Sequence, residues 1–250
     1  MSLRPLRRVG RAAYVVYGAS VIAAVMLTLR IVTEFVRRPH TAVALQRVAS
    51  RIMLACLRCR FSVRGARPTP GAPPRVYVAN HTSYLDIPLM LAALGCDFAF
   101  VTKHELLRWP IISRITQSGG HIPVDRERLG SRGAVLGRMV KTLRAGRSVL
   151  VFPEGTFSHD DRLRPFQAGA FKSAVSASVP VVPIALEGVA AVWSPHARFP
   201  RAGRVEIWVG DALAVDAPTD DEADRVEALR ATALRFIETH ARRSADAPAA

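Results

Sequence analysis

A histidine and an aspartate five positions apart are the clearest candidates for acid–base chemistry in this sequence. His81 and Asp86 lie in the stretch Asn80-His-Thr-Ser-Tyr-Leu-Asp86. An apolar run typical of a strand ends at Asn80, and the pair Ser83-x-x-Asp86 indicates that a helix starts near Ser83. The Asp86 carboxylate can then reach the imidazole of His81, hold it in one tautomer and stabilise its protonated form. Taken alone, the pattern is equally compatible with a capped helix preceded by an ordinary loop histidine.

A second polar cluster follows the apolar run at residues 148–152. Pro153 ends that run, and Glu154, Gly155 and Thr156 come directly after it. Glycine at position 155 permits a left-handed backbone or the close approach of a ligand. Glu154 can accept hydrogen bonds from a polyol or orient a neighbouring donor. An ordinary strand-to-loop turn is the alternative interpretation.

Two basic residues are candidates for binding an anionic group. Arg126 ends the segment Ser118-Gly-Gly-His-Ile-Pro-Val-Asp-Arg126, and a guanidinium there is a good bidentate partner for phosphate. Lys103 follows an apolar run and is a second candidate. Each, considered singly, is also compatible with an ordinary surface charge. His121 lies near Arg126 and could line a pocket, although we predict a structural or solvent-exposed role for it.

The elements that must position these residues are short apolar runs alternating with helical patterns. Strands are predicted over Arg75–Ala79, Phe98–Thr102, Ser148–Phe152, Val181–Leu186 and Val205–Val209. Helices are predicted near Leu85–Leu94, Ile111–Gln117, Leu129–Ala145, Gln167–Ser178 and Glu222–Arg243. This alternation predicts an α/β fold with a mostly parallel central sheet flanked by helices. Catalytic groups in such sheets gather at the carboxyl ends of the strands, where the motifs above fall.

The net charge of +15 is concentrated at one end of the chain. Residues 1–67 contain thirteen arginines and a single acid, Glu34. These arginines are interleaved with long apolar runs, which favours contact with anionic lipid over nucleic acid. The uncharged run Ala12–Leu29 has 18 residues, within the roughly 17–25 that a membrane-spanning helix needs. A buried core helix of a soluble protein is the alternative.

The segment Thr41–Cys59 predicts an interfacial amphipathic helix, with Arg47, Arg51 and Arg58 on one stripe. Arginines flank the first apolar run on both sides, so the distribution of positive charge does not determine its membrane topology. A single span and a helical pair inserted in one leaflet both remain open. We expect an N-terminal membrane-associated helical pair over residues 1–64, a Pro/Gly linker at 65–74 and the catalytic domain over 75–250.

The three cysteines do not predict a metal or redox site. Cys56 and Cys59 form one CxxC pair, and no second pair or histidine cluster follows to complete a zinc site. We therefore expect two small apolar residues on one helix face. The odd count of cysteines favours a reducing compartment.

Taken together and in order, these segments resemble the lysophosphatidic acid acyltransferase family of glycerolipid acyltransferases, also called 1-acyl-sn-glycerol-3-phosphate acyltransferases. The resemblance covers about residues 75–210. It rests on Asn80-His81-x-Ser83-x-x-Asp86, Lys103-x-Glu105-Leu106, Gly120-x-Ile122-Pro-Val-Asp-Arg126, Phe152-Pro-Glu154-Gly-Thr156, Phe166-x-x-Gly169-Ala-Phe171 and Val179-Pro-Val-Val-Pro183. No G-x-S-x-G nucleophile motif accompanies them.

The resemblance implies direct acyl transfer from acyl-CoA or acyl carrier protein to the 2-hydroxyl of 1-acyl-glycerol-3-phosphate, yielding phosphatidic acid. It implies no covalent acyl-enzyme and no metal or redox cofactor. By the same resemblance, His81 would be the general base, and Asp86 would orient its imidazole. Arg126 and Lys103 would bind the acceptor phosphate, and Glu154, Gly155 and Thr156 would position the glycerol. Pro180 and Pro183 would border the acyl or donor channel.

Two alternatives to this activity remain open at the level of sequence. The acceptor could be another lysolipid, such as lyso-ornithine lipid, because the headgroup contacts are not visible. A non-catalytic membrane-binding module that keeps the fold is the second alternative. We expect a membrane location, in a bacterial inner membrane with the catalytic domain on the cytoplasmic side, and no specific nucleic-acid partner.

Overall fold

The computed structural model describes residues 4–125, 131–157, 163–215 and 221–241. Its helices are α1 (Arg4–Val32), α2 (Pro39–Cys56), α3 (Asp86–Ala93), α4 (Pro110–Ser118), α5 (Ser131–Arg144), α6 (Gly169–Ala177), α7 (Val189–Val192) and α8 (Glu222–Ala241). Its strands are β1 (Cys59–Arg64), β2 (Val76–Ala79), β3 (Phe98–Lys103), β4 (Ile122–Val124), β5 (Ser148–Val151), β6 (Val181–Glu187) and β7 (Gly203–Val209). A 3₁₀ turn spans His104–Arg108.

The strands form one sheet in the order β1-β7-β6-β2-β5-β3-β4. Every neighbouring pair is parallel except β6 and β7, which run antiparallel. The predicted mostly parallel sheet flanked by helices is therefore confirmed. The carboxyl ends of β6, β2, β5, β3 and β4 all lie along one edge of this sheet, which we call the carboxyl edge.

The sheet separates two layers of helices. Successive residues of a strand point to opposite faces, so Tyr77 and Ala79 join one core cluster while Val76 and Val78 join the other. The first cluster contains buried residues of α2 and α3. The second contains buried residues of α5, α6 and α8. All four residues of β2 are buried, as expected of a central strand covered on both faces.

The first strand lies in the segment predicted to be a membrane-anchoring helix. β1 pairs with β7 in parallel, with Cys59 opposite Gly203, so the sheet begins before residue 64, where the predicted helical segment ends. The helix prediction for this segment was wrong because α2 ends at Cys56 and the chain turns at Arg58, whose φ is 51°. Cys56 and Cys59 therefore do not share a helix face. Burial raises the pKa of the Cys59 thiol to about 11, which keeps it protonated.

Helix α1 does not have the burial of a soluble core helix. Its stretch Ala12–Val32 has a mean hydropathy of 2.1, and 11% of that stretch is buried. One edge packs on the first core cluster through Val21, Ile22 and Val25. Apolar side chains elsewhere on the helix, such as Val16 and Leu27, are exposed. Among the described residues, α1 is the one helix long and apolar enough to cross a membrane.

Helix α2 is held against the catalytic domain by two of the arginines expected on one stripe of an interfacial helix. Arg47 donates from Nε to the carbonyl oxygen of Leu94 at 3.1 Å and from Nη2 to that of Cys96 at 2.6 Å. Arg51 donates to the carbonyl oxygen of Ala92 at 3.1 Å. These contacts satisfy carbonyls at the C-terminal end of α3. The predicted stripe was wrong, since Arg58 also lies beyond the helix.

Candidate active site

His81 and Asp86 are in direct contact at the carboxyl edge. His81 lies in the loop after β2, and Asp86 is the first residue of α3, one residue after the predicted range Leu85–Leu94 begins and three after Ser83. The Nδ1 atom of His81 is 2.7 Å from Oδ2 of Asp86. The same oxygen accepts hydrogen bonds from the backbone N–H groups of Thr82 at 2.7 Å and Ser83 at 2.9 Å. The structure thus brings together the two residues singled out first.

The Asp86 contact selects one tautomer of the imidazole. An ionised carboxylate only accepts hydrogen bonds, so Nδ1 of His81 must carry the proton that it donates. The lone pair of Nε2 is then available to take a proton from a substrate. Asp86 is fully buried, whereas the His81 side chain is 19% exposed. The N-terminus of α3 adds a favourable partial positive charge next to the carboxylate.

Two phenylalanines enclose the His81 ring. Phe152 stacks on it with a centroid distance of 4.2 Å and an interplanar angle of 16°. Phe157 lies 4.2 Å away at 39°. Sequence reasoning missed both, because an apolar residue beside a polar motif has no signal of its own. The one available hint was that these phenylalanines bracket the Pro153–Thr156 segment.

An aromatic wall continues from Phe157 toward the surface. Tyr84 meets the edge of Phe157 at 5.0 Å and lies 5.5 Å from Trp193. The hydroxyl of Ser83 donates to the carbonyl oxygen of Trp193 at 2.5 Å. Tyr84 is about half exposed, so this wall is open to a ligand approaching His81.

Glu154 connects the loop after β5 to the loop that carries His81. Its Oε1 accepts the backbone N–H of His81 at 2.8 Å, and its Oε2 accepts that of Arg164 at 2.9 Å. The side chain is buried. The observed contacts are those of a residue that positions the His81 backbone, and a role in glycerol binding stays a prediction.

Asn80 fixes the end of β2 directly before His81. Its side-chain nitrogen donates to the carbonyl oxygen of Leu186 at 2.9 Å, and its oxygen accepts the Leu186 N–H at 2.7 Å. This bidentate pairing continues the β2–β6 ladder through a side chain. The histidine therefore follows a backbone that is held from two neighbouring strands, by Asn80 on one side and by Glu154 on the other.

Gly155 and Thr156 lie in the loop beside the dyad. Gly155 has a φ of +79°, a left-handed conformation that favours glycine, and its N–H donates to the carbonyl oxygen of Phe152 at 3.0 Å. This turn carries the chain past Thr156, which is partly exposed, to Phe157. The observed use of the glycine is to form that turn. Substrate contacts for both residues stay predictions.

The remaining predicted site residues are more scattered. Lys103 is exposed and ends β3, so it lies on the carboxyl edge two strands from β2. Arg126 lies outside the described residues.

Pro180 comes before β6, and its carbonyl oxygen accepts the Val76 N–H at the opposite edge of the sheet. Pro183 is buried within β6 opposite Val78. The assignment of both prolines to a channel remains a prediction.

His121 is a buried structural residue of the core, the first of the two roles expected for it. Its Nε2 is 2.9 Å from Oε1 of Gln46 on α2, and its Nδ1 accepts the backbone N–H of Phe100 at 3.3 Å. Burial, and secondarily the charge of Arg147, hold the pKa of His121 well below its ordinary value. The neutral ring, protonated at Nε2, satisfies both hydrogen bonds and ties α2 to β3.

Comparison with known proteins agrees with this geometry. Residues 60–187 match the family model described as Acyltransferase. The chain is 34% identical over 192 residues to 1-acyl-sn-glycerol-3-phosphate acyltransferase alpha of Homo sapiens, covering 75% of this chain and 68% of that one. It is 36% identical over 131 residues to the lyso-ornithine lipid O-acyltransferase of Pseudomonas aeruginosa, covering 52% and 49%.

A solved structure shares the fold over almost the whole chain. The 1-acyl-sn-glycerophosphate acyltransferase of Thermotoga maritima matches with a TM-score of 0.76 at 20% identity, covering 93% of this chain and 97% of that one. The protein is thus an O-acyltransferase with an α/β fold. It belongs to the 1-acyl-sn-glycerol-3-phosphate acyltransferase family of glycerolipid acyltransferases.

Proposed function

We propose that this acyltransferase moves an acyl group from a thioester carrier to the 2-hydroxyl of 1-acyl-sn-glycerol-3-phosphate, with His81 as the general base. The observation that carries the mechanism is the 2.7 Å contact between Nδ1 of His81 and Oδ2 of Asp86. It leaves Nε2 as the basic atom of the ring. The acceptor is suggested by the name of the human relative.

In the proposed reaction, Nε2 of His81 takes the proton of the acceptor hydroxyl as its oxygen attacks the thioester carbonyl. A C–O bond forms, and the tetrahedral intermediate then expels the thiolate as the C–S bond breaks. The imidazolium returns its proton to the leaving sulfur, so the enzyme ends in its starting state. Positioned acid–base catalysis of this kind contributes about 10²–10⁴-fold to rate.

Asp86 supplies the charge that the intermediate state requires. When His81 gains a proton, the buried carboxylate already 2.7 Å away stabilises the imidazolium without having to move. The N–H groups of Thr82 and Ser83 hold that oxygen in place. No metal is needed to activate the hydroxyl in this scheme, so we expect activity to survive dialysis against a chelator.

We assign the acceptor phosphate to Lys103, which lies on the carboxyl edge, and to Arg126. Lys103 ends β3 there, and Arg126 follows β4 in the sequence after Asp125. A phosphate held at this side would leave the glycerol hydroxyl directed toward β2 and His81. Arg126 would bind it through a bidentate guanidinium and Lys103 as a point charge.

A membrane anchor makes this reaction energetically accessible. The acceptor and the product both partition into the bilayer, and extracting a chain costs about 0.8 kcal/mol per CH₂. Helix α1, with its exposed apolar surface, would hold the active site at the interface and avoid that cost. We place the protein in a bacterial inner membrane with the catalytic domain on the cytoplasmic side.

The second candidate acceptor is lyso-ornithine lipid. It is favoured by the Pseudomonas aeruginosa relative, which is 36% identical over 131 residues. That acceptor has a zwitterionic amino-acid headgroup and no phosphate, so the contacts made by the two candidate phosphate-binding residues are the discriminating feature. A phosphate-binding role for Lys103 and Arg126 predicts a preference for lysophosphatidate.

The test is a matrix of donors and acceptors with the purified full-length protein. Acyl-CoA and acyl carrier protein are each combined with lysophosphatidate and lyso-ornithine lipid in the same detergent. We expect turnover of lysophosphatidate, and the preferred donor will be the one with the higher kcat/KM. Turnover of lyso-ornithine lipid alone would overturn the proposed acceptor, and no turnover with any pair would favour a non-catalytic module.

A further inference from the structure

A groove outside the dyad separates the start of the apolar helix from a loop of the catalytic domain. It has a volume of about 510 Å³ and lies between α1, at Tyr14 and Val15, and residues 194–201 after α7. Arg198, Phe199 and Arg201 line the loop side. We call it the α1 groove. None of the roles assigned above involves it.

The position along α1 sets the depth of this groove relative to a bilayer. Tyr14 and Val15 are in the first turn of the apolar stretch Ala12–Val32, where the helix would leave the hydrocarbon for the headgroup region. The hydroxyl of Tyr14 donates to the carbonyl oxygen of Leu57 at 2.7 Å, which fixes α1 against the domain at this level. In a bilayer crossed by α1, the groove would therefore open at the depth of the lipid phosphates.

The lining combines two positive charges with an apolar floor. Arg198 and Arg201 are exposed, and within the described ranges neither guanidinium has a hydrogen-bonding or ionic partner. Val15 and Phe199 supply apolar surface beside them. A guanidinium pair of this kind suits a phosphodiester, and the apolar surface suits the glycerol and the first carbons of an acyl chain. We propose that the α1 groove binds the headgroup of an anionic phospholipid from the bilayer.

The loop is fixed in place before any lipid arrives. The indole N–H of Trp193 donates to the carbonyl oxygen of Ala197 at 3.0 Å, and the Arg201 N–H donates to that of Val192 at 2.7 Å. Preorganisation of this kind lowers the entropic cost of binding. The carbonyl oxygen of Trp193 also accepts the Ser83 hydroxyl. The bound lipid would thus lie at the far end of a loop that begins beside the active site.

The direct test counts phospholipid bound to the delipidated full-length protein in dodecyl maltoside. Dioleoyl phosphatidylglycerol is titrated and its retention is followed by native mass spectrometry. We expect the R198Q/R201Q variant to bind one phosphatidylglycerol at least about tenfold more weakly than the wild type, which corresponds to the loss of 1.4 kcal/mol or more. Dioleoyl phosphatidylcholine should show no such difference, and excess inorganic phosphate should not displace the bound lipid.

Two further variants separate the groove from general charge attraction. K172Q/R235Q removes the same charge from α6 and α8, on the opposite face of the sheet, and should bind like the wild type. V15W keeps both arginines but fills the groove, and should weaken binding as R198Q/R201Q does. Equal binding by R198Q/R201Q and K172Q/R235Q, or wild-type binding by V15W, would overturn the proposal. The assay requires no turnover, so its outcome is independent of the proposed reaction.

Discussion

The backbone N–H of His81 donates to Oε1 of Glu154 at 2.8 Å, which joins the loops that follow two neighbouring strands. The other oxygen of this carboxylate accepts the Arg164 N–H. Glu154 thus holds the backbone of the proposed base while Asp86 holds its ring. The position of the imidazole depends on two buried carboxylates that act on different parts of the same residue.

Replacement of Glu154 by glutamine should therefore disturb the dyad without removing it. The glutamine amide would turn its own N–H donor toward one of the two backbone N–H groups that Glu154 binds. That contact would be lost, and a charge-assisted hydrogen bond is worth about 1.5–3 kcal/mol. We expect kcat to fall by about 10–100-fold, together with a lower melting temperature. Glu206→Gln, on β7, is the matched control. Unchanged kcat in Glu154→Gln would argue against a positioning role.

Asp86→Asn tests the charge of the dyad while keeping its shape. The amide oxygen can still accept the hydrogen bonds from His81, Thr82 and Ser83, so the fold should persist. Loss of the negative charge removes the stabilisation of the imidazolium, and we expect kcat to fall about 10²–10⁴-fold with little change in KM. Steady-state kinetics measure this, with Asp211→Asn at an exposed site as control. A loss confined to KM would contradict the assignment.

Phe157→Ala tests the aromatic enclosure of the base. The change removes ring contacts to His81 and Tyr84, each worth about 0.5–1.5 kcal/mol beyond burial. We expect kcat/KM to fall by about tenfold, because the imidazole loses one of the two rings that restrict its orientation. Phe157→Leu keeps most of the apolar volume, and its kcat/KM should lie between those of the wild type and Phe157→Ala. Full activity in Phe157→Ala would show that Phe152 alone is sufficient to orient the imidazole.

The depressed pKa of His121 predicts a pH-dependent stability. Below about pH 6.5, the ordinary value for histidine, the unfolded chain takes up a proton that the buried ring does not accept. The free energy of unfolding should consequently fall as the pH drops below that value. In His121→Gln no histidine at this position takes up a proton on unfolding, so the free energy of unfolding should depend less steeply on pH. Urea unfolding in dodecyl maltoside at several pH values measures both slopes, and equal slopes would contradict the assignment.

The sequence predicted the elements whose signals are local. The five strands expected from apolar runs are all present, because runs such as residues 148–152 are too apolar to be anything but buried. β1 was missed because the membrane-anchoring helical segment was extended to residue 64, which included Arg60, Ser62 and Arg64 in the anchor. The alternation of Cys59, Phe61 and Val63 with those residues was the period-two signal that could have identified it.

Features of the site that depend on tertiary contacts could not be predicted in the same way. The proximity of His81 and Asp86 follows from spacing alone, since a loop and the first helical turn bring them together. Glu154 reaches His81 because β2 and β5 are neighbours, which strand order in the sequence does not reveal. The arginines of α2 likewise gave no sign that their partners were the carbonyls at the end of α3.

The most direct test of the proposed mechanism compares wild-type protein and His81→Gln in one assay. Both are reconstituted into vesicles containing lysophosphatidate, and the initial rate of phosphatidic acid formation from the preferred thioester is measured. The mechanism predicts a loss of at least about 10²–10⁴-fold in kcat, with unchanged membrane association and melting temperature. A folded, membrane-bound His81→Gln protein that forms phosphatidic acid at the wild-type rate would contradict it.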